Sequence, residues 1–153
     1  MASAAQKYQT FGIGYFDLPD DQALRIEVTP PPAKYWSLHL GNYLIASLDH
    51  AGAQNSLNGH QAHIDANGVF RAVSSRRDPG VPNWLDPGDR REGSMIYRWN
   101  QATHAPIPET RIVPIGELRA ALPLATPVVT PEERQATVER RGEHVRRRLA
   151  RPT

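Results

Sequence analysis

Apolar and polar residues alternate along most of the chain with a period of two residues. Leu24, Ile26 and Val28, for example, alternate with charged residues, which is typical of a strand with one buried and one wet face. The segments that we predict as strands are 11–15, 24–28, 35–40, 43–48, 59–64, 69–74, 94–99 and 111–115. Because no helical segment separates them, they predict a mainly β fold, an antiparallel β-sandwich of the jelly-roll type.

Turn signals separate the predicted strands. The Asn67-Gly68 pair predicts a hairpin, because both residues accept positive φ. The longest connection has two Asp-Pro-Gly turns, at 78–80 and 86–88, with Trp84 and Leu85 between them. We expect Trp84 to close one end of the sandwich core, with its indole N–H bound to a partner.

The C-terminal segment follows a helical pattern instead. Residues 130–133 read Thr-Pro-Glu-Glu, which supplies an N-cap, a proline at the first helical position and a glutamate at the third. We predict a helix over 131–149, preceded by a short helical segment at 117–122 that Pro123 stops. The helix has a narrow apolar stripe, made by Val138, Gly142, Val145 and Leu149.

Composition sets the broad class. The 153 residues are enough for one sizeable core and include no cysteine, so we expect neither a disulfide framework nor thiolate chemistry. There is no secretory signal and no apolar run of roughly 20 residues, so we predict a cytoplasmic location with no membrane partner. The predicted units are a disordered lead-in (1–10), the sandwich (11–128) and the Arg-rich helix (129–153).

The net charge of +2 is unevenly distributed. Residues 1–130 hold 11 Lys and Arg against 12 Asp and Glu, a net charge of −1, whereas residues 131–153 hold 7 Arg and 4 Glu, a net charge of +3. Arginines on the helix are of the kind that contact phosphates. Because the helix also carries Glu139 and Glu143, of which Glu143 reaches Arg147 at i+4, and because the sandwich is not basic, we disfavour nucleic acid as a partner.

Two regions offer candidate binding residues. Tyr35, Ser37 and His39 share one strand face, which Arg98 joins if its strand faces the same way; this face is either a pocket lining or the solvated outside of the sandwich. The long loop is either the rim of a ligand site or a structural cover. The candidate ligand-binding residues are Tyr35, His39, Asn55, His60, Asn83, Trp84 and Arg98.

Other constellations are weaker. His60 and His63 lie near Asp65 and His50, but positions 60 and 63 point to opposite faces of a strand, so we disfavour a metal site. Asp49 and His50 with the distant Ser94 suggest a hydrolase, but no nucleophile elbow is present. We predict no metal and no cofactor, and no catalytic residue is assigned.

The central stretch, roughly residues 12–115, resembles a bacterial family known as domain of unknown function 1214 (DUF1214). The segments that carry the resemblance are the aromatic strand 35–40, Asn55-Ser56-Leu57, the turn 65–68, Asn83-Trp84-Leu85, Gly93 and Arg98-Trp99. In longer relatives a proline often follows Asn-Trp-Leu, where this chain has Asp86. The resemblance implies a jelly-roll sandwich that is usually C-terminal to another domain, and it implies no settled activity.

These observations favour a non-catalytic β-sandwich module that binds a small molecule or a partner domain. The alternative is an enzyme acting on a small organic or carbohydrate-like substrate, in a pocket lined by Tyr35, His39, Asn55, His60 and Arg98. Self-association into a homo-oligomer is one way to cover an apolar patch left by a missing partner domain.

Overall fold

The structure is a computed structural model that describes residues 9–150. Its strands and helices are β1 Gln9–Asp17, β2 Gln22–Val28, β3 Ala33–Gly41, β4 Ser56–Asn58, β5 Phe70–Ser74, β6 Trp84–Leu85, β7 Glu92–Ala102, β8 Glu109–Pro114, a 3-10 turn Ile115–Glu117 and α1 Pro131–Leu149. The predicted lead-in, residues 1–10, lies outside the described residues except for Gln9 and Thr10, which begin β1.

The strands form two four-stranded sheets. The first sheet has the order β1-β7-β3-β4 and is antiparallel throughout. The second has the order β6-β5-β2-β8 and is antiparallel except for the short parallel pair β5–β6. The predicted fold class, a mainly β sandwich with a C-terminal helix, is confirmed. No helix in the range 9–150 is long and apolar enough to cross a membrane.

The main core lies between the two sheets, and it follows the period-two pattern. Met95 and Trp99 of β7 point inward, whereas Arg98 points outward. Side chains from both sheets meet there and are almost fully buried. Each such Leu, Ile or Phe side chain contributes roughly 1.5–3 kcal/mol by burial. The largest of them are Ile26, Leu40, Phe70, Leu85 and Trp99.

The second sheet is also covered on its outer face. A second apolar cluster forms there from Ala23, Val73, Val81, Trp84 and Val113. Side chains from the segment that follows β8 complete it, namely Leu118 and Leu122. Both faces of this sheet are therefore buried over part of its width.

Trp84 belongs to this second cluster. It is buried, and its Nε1 donates a hydrogen bond to the Ser75 carbonyl oxygen at 2.9 Å. The expectation of a buried, partnered indole is therefore confirmed, but its expected position is wrong. Side chains alternate along β6, so Leu85 enters the main core while Trp84 covers the outer face.

Two of the predicted strands are absent from the described residues. Within 43–48 only Ser47 makes a bridge, to Gly41, because Asn42 organises a tight loop. The Asn42 side chain accepts a hydrogen bond from the Ala46 N–H at 2.8 Å, and Ile45 adopts a φ of 66°. Local side-chain bonding of this kind competes with strand pairing.

The second absent strand is 59–64. The Asn58 side chain accepts hydrogen bonds from the His60 N–H (2.9 Å) and the Gln61 N–H (3.1 Å), which curls the chain into a turn. Only Ile64 makes a bridge, to Phe70 across the predicted 65–68 turn. The short strands β4 and β6, which alternation did not predict, take the remaining pairing positions.

Helix α1 begins as predicted. Thr130 and Glu133 form a reciprocal capping box, with hydrogen bonds of 3.2 and 2.8 Å. Arg134 anchors the first turns: its Nε donates to the Asp78 carboxylate at 2.7 Å, and its guanidinium lies 5.3 Å from the Trp84 ring centroid. Farther along, Gly142 packs against the carbonyl oxygen of Ala51. The helix is therefore held both to the long loop and to the loop before β4.

Candidate functional site

A groove runs between the outer face of the first sheet and helix α1. Its volume is about 950 Å³, near the upper end of the roughly 300–1,000 Å³ range of small-molecule sites. Strands β3, β4 and β7 supply its floor, and the loop segments 47–54 and 60–61 and helix α1 supply its walls. A second cavity, beside His63 and Asn83, is far smaller, at about 10 Å³.

Strand register places the side chains of the floor. Arg98, Ser37 and Asn58 lie in one row across β7, β3 and β4. His39 and Ser56 lie in the next row, two residues along. Because side chains two residues apart point to the same face of a sheet, all five project into the groove.

The helix wall is built from one face of α1. Spacings of three and four residues bring these side chains to the same side of the helix. They are Thr137, Arg140, Arg141, His144, Val145 and Arg148. Val145 is the member of the predicted apolar stripe that reaches the groove, and the cationic residues flank it.

Arg141 joins the helix to the floor. Its Nη2 donates a hydrogen bond to the Ser56 hydroxyl at 2.7 Å. Its Nε is buried and has no hydrogen-bond partner among the described residues. Burial lowers the pKa of the Arg141 guanidinium from its ordinary value, although an arginine remains protonated in a protein. A buried cationic donor without a partner is costly, so this N–H favours an acceptor from outside the chain.

His39 is half-buried in the floor. Burial lowers its pKa below the ordinary value of 6.5, and the nearby charges of His50 and Arg98 lower it further. The rings of His39 and His50 lie nearly perpendicular, with centroids 6.3 Å apart. Both desolvation and like charge therefore favour the neutral imidazole of His39.

Asn55 orients His50 from behind the groove. Its Nδ2 donates to the Asp49 carbonyl oxygen at 2.8 Å, which leaves its Oδ1 as the acceptor that contacts His50 Nδ1. His50 Nδ1 must therefore carry the proton in that contact.

The charged side chains that line the groove have one sign. Four arginines line it, together with four histidines that add positive charge only when protonated, and no aspartate or glutamate from the described part of the chain does so. They are Arg98, Arg140, Arg141, Arg148, His39, His50, His60 and His144. A concave site lined by cations focuses a positive potential and attracts anions.

Known structures support the fold. The chain is similar to an uncharacterised protein from Burkholderia cenocepacia, with 32% sequence identity and a TM-score of 0.68 over 74% of this chain and 31% of that one. It also resembles the VPA0106 protein from Vibrio parahaemolyticus, with 13% identity and a TM-score of 0.50 over 67% and 30% of the two chains. At that identity the second likeness shows the fold alone.

The chain spans about a third of the length of these solved proteins. Comparison with protein-family models gives no match, and comparison with curated proteins gives none. The similarities therefore describe the architecture and carry no activity.

The structure brings four of the seven predicted ligand-binding residues into the groove: Tyr35, His39, His60 and Arg98. A fifth, Asn55, is buried beneath it and contacts the groove through His50. Arg98 does share the face of Tyr35, as the alternation of both strands indicated.

Asn83 and Trp84 lie elsewhere, so they do not join the predicted binding set. The Asn83 side chain is buried and donates to the carbonyl oxygens of His63 (2.7 Å) and Arg71 (2.8 Å). Its Oδ1 accepts from the His63 N–H at 2.8 Å. These bonds pin the long loop to the second sheet, and Trp84 covers the sheet beside it. Both residues build the loop, which was the other interpretation of this segment.

The helix residues of the groove were missed as site residues. Their signal was present, because Arg140, Arg141, His144 and Arg148 follow a helical spacing. The pattern is equally typical of a solvated helix face and of a helix docked on another subunit or domain. Nothing local indicates which side of an Arg-rich helix faces the sheet.

The metal and hydrolase constellations do not assemble. No group of three or more His, Cys, Asp or Glu within residues 9–150 is placed to hold a metal ion. The Nε2 atom of His63 lies 3.6 Å from Oδ1 of Asp65, but the Asp65 carboxylate also pairs with Arg71. Ser94 is fully buried and its hydroxyl donates to the Asn42 carbonyl oxygen at 2.9 Å, so it is not presented as a nucleophile.

Proposed function

We propose that this β-sandwich is a binding module for a small organic anion, which it holds in the groove between the first sheet and α1. The observation that carries the proposal is the lining of four arginines and four histidines with no carboxylate from residues 9–150. Cations on protein surfaces are ordinarily interspersed with anions. A one-sign lining on a concave surface is the arrangement expected of a site for carboxylate or phosphate groups.

The donors suit such groups chemically. A guanidinium forms two parallel hydrogen bonds with a carboxylate or phosphate, and hydrogen bonds to charged groups contribute about 1.5–3 kcal/mol each. The hydroxyl of Ser37 and the amide of Asn58 supply neutral donors on the same floor. The unpartnered Nε of Arg141 supplies one more donor.

A binding experiment tests this function. Isothermal titration with simple carboxylates and phosphate esters should detect binding that weakens as salt rises. The double variant Arg98→Gln/Arg140→Gln should weaken it by roughly tenfold or more, the equivalent of at least one lost charged hydrogen bond. Arg90→Gln, an exposed arginine outside the groove, is the matched control and should leave affinity unchanged. Equal binding of a neutral analogue would contradict the proposal.

A second candidate is an enzyme that acts on a small organic or carbohydrate-like substrate. The observation that favours it is the His39–His50 pair, in which a lowered pKa keeps His39 neutral near pH 7. A neutral imidazole is a competent general base. Turnover of a groove ligand that is lost in His39→Gln, while binding persists, would support this candidate over binding alone.

We also propose membership of the DUF1214 family and association with a partner, either another domain or a second copy of the chain. Family membership is supported by the ordered motifs between residues 35 and 99 that resemble DUF1214. Association is supported by an exposed aromatic surface at the β1 edge of the first sheet, where Phe11 is 63% exposed and Tyr43 61%. The rings of Tyr15 and Tyr43 lie 5.3 Å apart within it. Light scattering should give a mass above 17.0 kDa that Phe11→Ser reduces if a second copy covers this surface. A cytoplasmic location stays a prediction.

A further inference from the structure

We infer that the ligand of the groove carries two separated negative groups, so that one molecule bridges the sheet and the helix. This inference rests on the proposed function and specifies its ligand class as a dicarboxylate or a bisphosphate. It comes from the distribution of the charges, which fall into two centres on different elements.

The first centre belongs to the sheet. Arg98 projects from β7, and His39 projects from the neighbouring strand β3, one row away. His50 stands beside His39 on the loop wall, and the charges of both His50 and Arg98 act on the His39 ring. An anion seated here would meet one guanidinium and two imidazoles.

The second centre belongs to the helix. Arg141 reaches the edge strand β4 through Ser56, which places this centre over the edge of the sheet. Arg140, His144 and Arg148 lie on the same helix face. The Arg140 guanidinium donates only to the Thr137 hydroxyl, at 3.1 Å, among residues 9–150.

The arginines of the two centres are anchored on either side of β3. Arg98 is on β7, and Ser56, which binds Arg141, is on β4, so two strand spacings, roughly 10 Å, lie between these anchor points. The side chains between the arginines include the neutral Ser37 and Asn58, and His39, which lies opposite Ser56. A single carboxylate or phosphate group is too short to span the distance between the two centres. A molecule with an anionic group at each end can contact both.

The physical consequence is a chelate effect. Once one end of a bridging ligand is bound, the second contact is intramolecular and no longer costs a separate association. Two linked contacts commonly exceed either alone by roughly 100-fold or more. We take about tenfold as the smallest preference that distinguishes two centres from one.

Matched ligand pairs test the inference. The probes are benzoate against benzene-1,3-dicarboxylate and a hexose 6-phosphate against the hexose 1,6-bisphosphate, titrated into the full chain at fixed ionic strength. In at least one pair, the member with two anionic groups should bind at least ~10-fold more tightly than the member with one. Equal affinity within both pairs would overturn the two-centre inference while leaving anion binding intact. Binding by no probe would overturn both the inference and the proposed function.

Variants then assign each charge to a centre. Arg98→Gln and Arg140→Gln should each reduce the affinity of the probe with two anionic groups to that of its partner with one. The probe with one anionic group should respond to only one of the two variants. If both variants weaken that probe equally, the groove has one merged centre and the inference is wrong. Because Arg98 and Arg140 are both exposed, we expect each variant to keep the fold. Circular dichroism of each variant checks this.

Discussion

The outer faces of the two sheets differ in how they use arginine. On the second sheet, Arg71 pairs with Asp65 and with Glu27, and Arg25 lies 3.1 Å from Glu27. On the first sheet and its helix, no carboxylate in the described range lies within 4 Å of Arg98 or of the other groove arginines. Paired arginines stabilise the structure, and unpaired arginines in a concave site are available to a ligand.

The two outer faces also differ in how much of each is covered by other parts of the chain. The segment that follows β8 packs over the second sheet and buries its apolar outer face around Trp84 and Val113. The helix only flanks the first sheet, which leaves the groove. The difference teaches that one sandwich can have one outer face that is buried by its own chain and one that stays open and is lined by arginine. Four variants separate these roles.

The largest effect is expected at Trp84. Trp84→Ala removes a buried aromatic side chain, its hydrogen bond to Ser75 and the surface on which Arg134 lies. Such truncations cost about 3–5 kcal/mol, which urea unfolding followed by circular dichroism would measure. Tyr43→Ala, an exposed aromatic control, should cost little. A Trp84→Ala variant as stable as the parent would contradict the claim that the second cluster stabilises the fold.

The next effect is expected at Arg134. Arg134→Met keeps the aliphatic stem and removes the guanidinium donors to the Asp78 carboxylate and to the Val81 carbonyl oxygen, so that Asp78 retains only the Gly80 N–H among these donors. Because the site is partly buried, we expect a loss of about 2 kcal/mol in the free energy of unfolding. Loss of helical signal at 222 nm before the sheet unfolds would show that this contact holds α1. A loss of less than about 0.5 kcal/mol in the free energy of unfolding would contradict this role of Arg134.

A smaller effect concerns pH. The pKa of His39 is lower in the folded chain than the ordinary 6.5, chiefly through burial and then through His50 and Arg98. Below about pH 6.5 the unfolded chain therefore binds more protons, so stability should rise with pH through this window and fall as the solution is acidified. His39→Gln should flatten this dependence in unfolding curves taken from pH 5 to 8. An unchanged slope would exclude His39 as its source.

An anion should reverse that trend. A bound carboxylate or phosphate supplies opposite charge to His39 and raises its pKa, so proton uptake and anion binding reinforce each other. Affinity for a ligand that stays anionic should therefore increase between pH 7.5 and 6. Calorimetry in buffers of different ionisation enthalpy would measure the protons taken up. Proton release on binding would contradict this linkage.

The smallest effect on stability is expected at Arg98. Arg98→Gln removes an exposed cation that has no carboxylate partner among residues 9–150, so unfolding free energy should change by less than about 0.5 kcal/mol. Arg71→Gln, which breaks contacts with Glu27 and Asp65, is the contrasting variant and should cost more. Equal costs would erase the distinction between the two faces.

Much of the fold was predictable because it is encoded locally. Alternation placed most long strands and correctly put Tyr35 and His39 on one face, whereas the side on which Arg98 lies depended on how its strand pairs with β3. It failed where side chains of Asn42 and Asn58 bond to the nearby backbone, because such turns cancel the pairing that apolar segments otherwise favour. The short strands β4 and β6 have too few residues to show a period.

The amino-acid sequence by itself determined the period-two strands, the capping box that begins α1 and the accumulation of arginine in that helix. Only the tertiary structure decided that Trp84 covers an outer face, and that the arginines of α1 stand opposite Arg98. The reason is distance along the chain. The contacts that decide these points, such as Arg141 with Ser56 or Arg134 with Asp78, join residues far apart in sequence, and local patterns carry no record of which distant surfaces meet.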